Sequence, residues 1–159
     1  MEMIAVKNIT VSRSKQCNAC NEGYMSILQA RTKQDILNVA KSNFSWVVEN
    51  GIILPDEWIQ FFTCQELENN RIYYDGKHHV TGGNIGYFTG SAIAILSGGS
   101  KGVMTGNSIA HVYDTSYAHL FGNSIGVIYG EKALCVVRDK KTAKSIDYFE
   151  AKRYCPEVL

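Results

Sequence analysis

From Asp75 to Arg138 the chain divides into eight consecutive blocks of eight residues with no insertion: DGKHHVTG, GNIGYFTG, SAIAILSG, GSKGVMTG, NSIAHVYD, TSYAHLFG, NSIGVIYG and EKALCVVR. The second position is Ser100, Ser108, Ser116 and Ser124 in four successive blocks, after Gly76, Asn84 and Ala92. The fourth is usually small, through Gly86, Ala94, Gly102, Ala110, Ala118 and Gly126. The sixth is always apolar: Val80, Phe88, Leu96, Met104, Val112, Leu120, Ile128 and Val136. The last is usually Gly, with Asp114 standing in once. The preceding LENNRIYY fits weakly, with Ile72 at the apolar position, so the array is expected to begin near Asn69.

A fixed period marks a stacked architecture, in which each unit buries its apolar side against its neighbours. Positions two, four and six share a parity and point to one face of an extended segment; three, five and seven point to the other. Gly, Asn, Ser and Asp around positions eight and one supply what a corner needs. Each block therefore reads as about five residues of strand and three of turn. Small residues at four beside large ones at six suit a narrow interior whose opposite walls almost touch. Each buried position-six side chain is worth roughly 1.5–3 kcal/mol, so a charge there, as in Leu120→Asp, unravels the array. Eight residues close no coil alone, which leaves two blocks per turn or three. An antiparallel meander is the competing arrangement, disfavoured because hairpins prefer turns that alternate in type. The period also disfavours hexapeptide helices and nonapeptide calcium rolls.

Blocks such as NSIAHVYD, TSYAHLFG and NSIGVIYG resemble the octapeptide-repeat solenoids, of the style GNSTVxAY, found in many bacterial and phage proteins. Ice-nucleation proteins, which pair octapeptides into sixteen-residue coils, are more distantly similar. The resemblance covers about Asp75 to Arg138; it implies the two-block coil and no catalytic residues.

The expected fold class is thus α+β: a short N-terminal strand and two or three helices, then a β-solenoid. The expected division is 1–68 for strand and helical cap, 69–138 for the solenoid and 139–159 for a C-terminal cap containing Tyr148 and Phe149. Ile4, Val6 and Ile9 to Val11 alternate with polar residues and predict a strand from Met3 to Ser12. A helix is expected over Glu22 to Ala30. Thr32 and Asp35 form a capping-box pattern for a helix carrying Ile36, Leu37, Ala40, Phe44, Val47 and Val48 until Gly51. Pro55, Asp56 and Glu57 start another, with Trp58, Ile59, Phe61 and Phe62 on its apolar side. These helices are expected to cap the first coil or lie on one flank, because a bare solenoid end invites aggregation.

Several function classes are disfavoured by composition. Sixteen Lys and Arg against fifteen Asp and Glu give a net charge of +1 over 159 residues, with no basic surplus for nucleic acid. No apolar run approaches the roughly 18 residues of a membrane span, and the start is unlike a signal peptide, so a cytoplasmic location and no membrane partner are expected. Five cysteines read as reduced thiols. Cys17-Asn-Ala-Cys20 is half a zinc site by spacing, but no second pair follows it. Packing at a strand-to-helix junction is therefore expected, with no cofactor. Cys64, Cys135 and Cys155 have no recognisable catalytic partner. In a two-block coil His79 and His111 share a face two rungs apart, about 9–10 Å, too far to reach one ion without leaning together, with His119 on the opposite wall. All four histidines, His78 included, read as ordinary surface or interface residues. Glu22, Asp35, Glu49, Asp56 and Glu57 look like helix-surface residues, and no hydrolase, Walker or dinucleotide motif appears in a fitting context.

The outer surface carries the functional expectation. From Gly83 to Gly130 only Lys101 and Asp114 are charged. One face should present Ile93, Ile95, Ile109, His111, Tyr113, Ile125, Val127 and Tyr129; the other, Ile85, Tyr87, Val103, Tyr117, His119, Phe121, Cys135 and Val137. An apolar surface of this kind is covered by something, either the chain's own helices or a partner. The expected function is a non-enzymatic protein-binding module acting on another protein or as a homodimer. A phage or mobile-element inhibitor of a host protein is the version that the resemblance suggests. The alternatives are an enzyme or small-ligand binder using His78, His79 or the Cys17/Cys20 pair between helices and array, and ice binding through Thr81, Thr89 and Thr105.

Overall fold

The computed structural model describes residues 1–138 and 142–147, in an α+β arrangement of helices followed by a β-solenoid. Two compact units divide the chain, Met1–Asn70 and Arg71–Leu159. The cap expected from Tyr148 and Phe149, and Cys155, lie outside the described residues.

The first unit is helical: α1 (Met3–Gln16), α2 (Asn21–Gln29), α3 (Lys33–Ser42), α4 (Phe44–Glu49), α5 (Trp58–Phe61) and α6 (Cys64–Asn69). The strand expected over Met3 to Ser12 is instead most of α1. Its buried face is Val6, Thr10 and Ser14, four residues apart, so two of three inward positions are polar and the helical period carries no apolar signal. Thr10 is tolerated there because its hydroxyl donates to the Val6 carbonyl at 3.0 Å. The Thr32–Asp35 capping box forms as expected, but its helix breaks at Asn43 (φ −131°, ψ 34°) before α4. Pro55 to Glu57 form the turn that precedes α5. α6 occupies residues expected to lead into the array, and it has its own capping box between Thr63 and Glu66. Trp58, fully buried, packs against Phe44 and Phe62 at ring separations of 5.7 and 6.1 Å. Arg13 on α1 grips Glu57 with both guanidinium nitrogens, at 2.5 and 2.8 Å. That pairing holds the Glu57 carboxyl below its ordinary range, the guanidinium bond outweighing partial burial.

The second unit is a two-sided solenoid of parallel strands. One sheet runs in the order β1 (Ile72–Tyr73), β3 (Ile85–Phe88), β5 (Lys101–Met104), β7 (Tyr117–Leu120), β9 (Leu134–Val137). The other runs β2 (Lys77–Val80), β4 (Ile93–Leu96), β6 (Ile109–Val112), β8 (Ile125–Ile128), β10 (Lys144–Asp147). Ile85 pairs with Lys101 and Ile93 with Ile109, sixteen residues on, so two blocks make one coil. Strands take positions three to six, four residues each, and corners take the other four; the corners are one residue longer than expected.

Inside, position six fills the core and position four gives way to it. A Cβ on Gly102 would stand 2.7 Å from Leu96 Cδ1, which reaches across from the opposite wall. Position two turns inward at the four serine corners, where Ser100, Ser108, Ser116 and Ser124 are all fully buried. Their hydroxyls are satisfied locally, Ser108 donating to Thr105 O at 2.7 Å and Ser100 to Val80 O at 2.8 Å. Position eight has a positive φ from Gly82 to Gly122, and Asp114 adopts it too, at 54°. Its carboxylate accepts the Gly98 N–H at 3.1 Å, a bond that glycine lacks.

The uninterrupted register fails at both ends. Tyr117 pairs with Leu134, seventeen residues on, so Cys135 and Val137 take the inward places and Leu134 and Val136 face out. Cys135 and Val137 therefore leave the outer face assigned to them, and Val136 leaves the core. At the start Tyr73 rather than Ile72 pairs with Phe88, and its ring packs on Phe88 at 5.1 Å. Ile125 pairs with Lys144, nineteen residues on, which adds the strand β10 beyond Arg138.

Candidate functional site

Two columns cover the outer side of the β2-to-β10 sheet. Register places Lys77, Ile93, Ile109, Ile125 and Lys144 in one and His79, Ile95, His111, Val127 and Ile146 in the other. The middle rungs β4, β6 and β8 present four isoleucines, a valine and one histidine, and no charge. Parallel in-register pairing sets Ile93, Ile109 and Ile125 at the usual spacing of about 4.8 Å, so each is half-buried by its neighbours and held in a fixed array. Tyr113 and Tyr129 follow β6 and β8 at position seven and extend the surface. Their rings stack at 4.6 Å and 7°, and Tyr113 remains 38% exposed.

Every residue expected on this face is therefore brought together: Ile93, Ile95, Ile109, His111, Tyr113, Ile125, Val127 and Tyr129. Burial pushes the His111 imidazole below its ordinary pKa, and the positive charge of Lys77 pushes it further the same way. Ile146 joins its column, a residue the repeat did not reveal, because the three extra residues before β10 destroy the period. His79, two rungs from His111 with Ile95 between, bonds Ser97 Oγ at 3.1 Å.

The opposite outer face is mixed. Ile85, Tyr117 and Leu134 are 41, 36 and 53% exposed, but Lys101 interrupts their column and lies 5.7 Å above the Tyr117 ring. Arg138 donates to His119 Nδ1 at 3.1 Å. The His119 pKa is lowered by burial and then by the charges of Lys101 and Arg138. Threonines form no ladder: Thr89 and Thr105 are buried at one set of corners and Thr81 is exposed at the other.

The remaining candidate groups have local structural partners. His78 stacks on Tyr73 at 3.9 Å and its Nε2 meets Asp75 O at 2.8 Å. Cys135 is enclosed, and burial pushes its thiol up to about 11. Cys17 and Cys20 bracket a helix-to-helix turn, not the strand-to-helix junction expected. Cys17 donates to Asn50 O at 3.5 Å, and Cys20 caps α2 by accepting the Gly23 N–H at 3.4 Å. Among the described residues no group of three or more His, Cys, Asp or Glu side chains is placed to hold a metal ion, and no helix is long and apolar enough to cross a membrane. No family model, curated protein or solved structure matches the chain.

Proposed function

We propose that the protein is a non-enzymatic protein-binding module whose contact surface is the outer face of β4, β6 and β8, engaging another protein or a second copy of the chain. The observation that carries this reading is the register of Ile93, Ile109 and Ile125 beside Ile95, Val127 and the stacked Tyr113 and Tyr129, across three rungs without a charge. Such a face loses little conformational entropy on docking, because the ladder already fixes its side chains, and tyrosines anchor interfaces well. The non-enzymatic part is supported by the local hydrogen bonds of the four histidines and the enclosure of Cys135. No cofactor is called for.

Size sets the expected strength. Four-residue strands on five rungs span about 13 by 20 Å, less than the roughly 800 Å² per partner of a standard interface. A partner touching this face alone is held transiently, and a tight one must also grip the corners. The narrower version, a phage or mobile-element inhibitor of a host protein, is supported by the octapeptide resemblance alone.

The test compares wild type with an Ile109→Lys, Ile125→Lys double variant in a crosslinked pull-down, alongside sedimentation velocity. Circular dichroism and a melting curve check that the variant is folded. The wild type is expected to recover one protein or its own dimer, with at least a tenfold loss in the variant. Undiminished recovery by the folded variant removes this face from the function.

A further inference from the structure

We propose that a cleft within the helical unit, between α2 and α3, binds a small primary amine carrying an apolar group. Two cavities adjoin there. One, of about 240 Å³, is lined by Ala19, Ile27, Trp46 and Val47. The other, of about 410 Å³, is lined by Glu22, Ser26, Asn38 and Ser42. They share Cys20, Gly23, Val39 and Asn43 as a common wall, so the cleft is apolar at one end and polar at the other.

The hydrogen-bond inventory of the polar end selects the ligand's head group. Ser26 Oγ donates to Glu22 O at 2.8 Å and Ser42 Oγ to Asn38 O at 3.1 Å, which uses the single proton of each hydroxyl and leaves its lone pairs. Asn43 spends an amide proton on Val39 O at 3.0 Å and keeps its carbonyl oxygen. With the Glu22 carboxylate, the cleft offers acceptors and one negative charge, and its lining holds no Lys, Arg or His. An ammonium group supplies three N–H donors and the opposite charge. A carboxylate would meet the like charge of Glu22. The apolar end takes the rest of the molecule, and its volume limits that part to a short chain or a single ring.

Gly23 keeps the common wall open. A Cβ there would stand 3.3 Å from the Cys20 sulfur, and a longer side chain would lie in the cleft. Because Gly is the poorer helix former, Gly23→Leu blocks the site at no cost to helix propensity.

Hexylamine, hexanol and hexanoate share a chain and differ in the head group. Each is titrated into the full chain, at constant pH and ionic strength, while backbone amide shifts are followed by NMR at Gly23, Val39 and Asn43. Hexylamine is expected to give saturable shifts, with binding at least tenfold weaker for hexanol and none for hexanoate. Glu22→Gln should weaken hexylamine at least tenfold and leave hexanol unchanged; Gly23→Leu should abolish both. Equal binding of hexylamine and hexanol, an unaltered Glu22→Gln, or no saturable shift up to about 10 mM hexylamine overturns the proposal.

Discussion

Nδ1 of His111 lies 2.7 Å from the hydroxyl of Tyr129, one coil along the same face. This pair ties the histidine column to the tyrosine stack, and it sits where burial and Lys77 both oppose a proton on the imidazole. In the unfolded chain histidine titrates near pH 6.5. The unfolded state therefore binds the proton first, and native stability falls as pH drops below about 6.5 toward the lower native value. The urea midpoint of wild type should fall relative to that of His111→Gln as pH drops through that window, with part of the slope surviving in the variant because His119 is shifted the same way. In a ring-proton NMR titration, Lys77→Met should raise the His111 pKa only partway to its ordinary value, since burial is the larger cause. A full return would mean that Lys77 dominates.

Two corner serines that look alike in the repeat should differ in worth. Ser116 Oγ accepts the buried N–H of Ser100 at 3.0 Å, so Ser116→Ala strands a donor and should cost about 1–3 kcal/mol. Ser108 Oγ only donates to Thr105 O, which also accepts the Ser108 N–H at 3.2 Å, and Ser108→Ala should cost under about 1 kcal/mol. Denaturant melts of both variants settle the order.

The contact across the solenoid interior predicts non-additivity. Gly102→Ala should cost about 1–3 kcal/mol by overpacking against Leu96. Leu96→Ala should cost about 2–5 kcal/mol through the cavity it leaves. In the double variant the new methyl occupies part of that cavity, so the combined loss should fall short of additivity by at least about 0.5 kcal/mol in a double-mutant cycle. Additive losses would show that the two walls relax independently.

Asp114 balances a strained backbone against a bond to Gly98. Asp114→Gly relieves the first and forfeits the second, and should change stability by no more than about 0.5 kcal/mol. Asp114→Ala keeps the strain without the bond, and a loss of about 1–2 kcal/mol is expected in thermal melts.

On α1, Ser14 is fully buried and its hydroxyl has no partner among the described residues. Ser14→Ala should therefore raise the melting temperature, by the equivalent of about 0.5–1 kcal/mol, since alanine is also the better helix former. A drop would reveal a hidden partner for the hydroxyl.

The solenoid was legible because its rule is local: parity decides inside from outside, and small position-four residues match the large position-six residues facing them. The outer columns followed at once, since residues sixteen apart must be neighbours once two blocks close a coil. What escaped was whatever broke the count. One extra residue ahead of Leu134 leaves an apolar residue at every nearby place, so Val136 and Val137 look interchangeable although only one can face inward. In the helical unit, the sequence of α1 reads as a strand because Thr10 and Ser14 hide its buried side, whereas the Thr32–Asp35 box is plain because both its partners lie within one turn. The amine cleft had no signature: its acceptor bias arises from which carbonyls happen to take the serine and asparagine protons.

The sixteen-residue coil also sets the steps in which this chain can change length. Deleting residues 93–108 joins Ala92 directly to Ile109, with every later strand still on its own sheet and every side chain on its own side. Deleting eight residues preserves inside and outside as well, yet hands each downstream strand to the opposite wall, so that Ile109 and Ile125 would continue a column begun by Ile85. Coding-sequence slippage of one block upstream would thus move Ile109 and Ile125 together to the other wall, beside Ile85 in place of Ile93, while slippage of two would produce a shorter chain that keeps them on their own sheet. Natural length variants that keep every remaining strand on its own sheet should differ by whole coils.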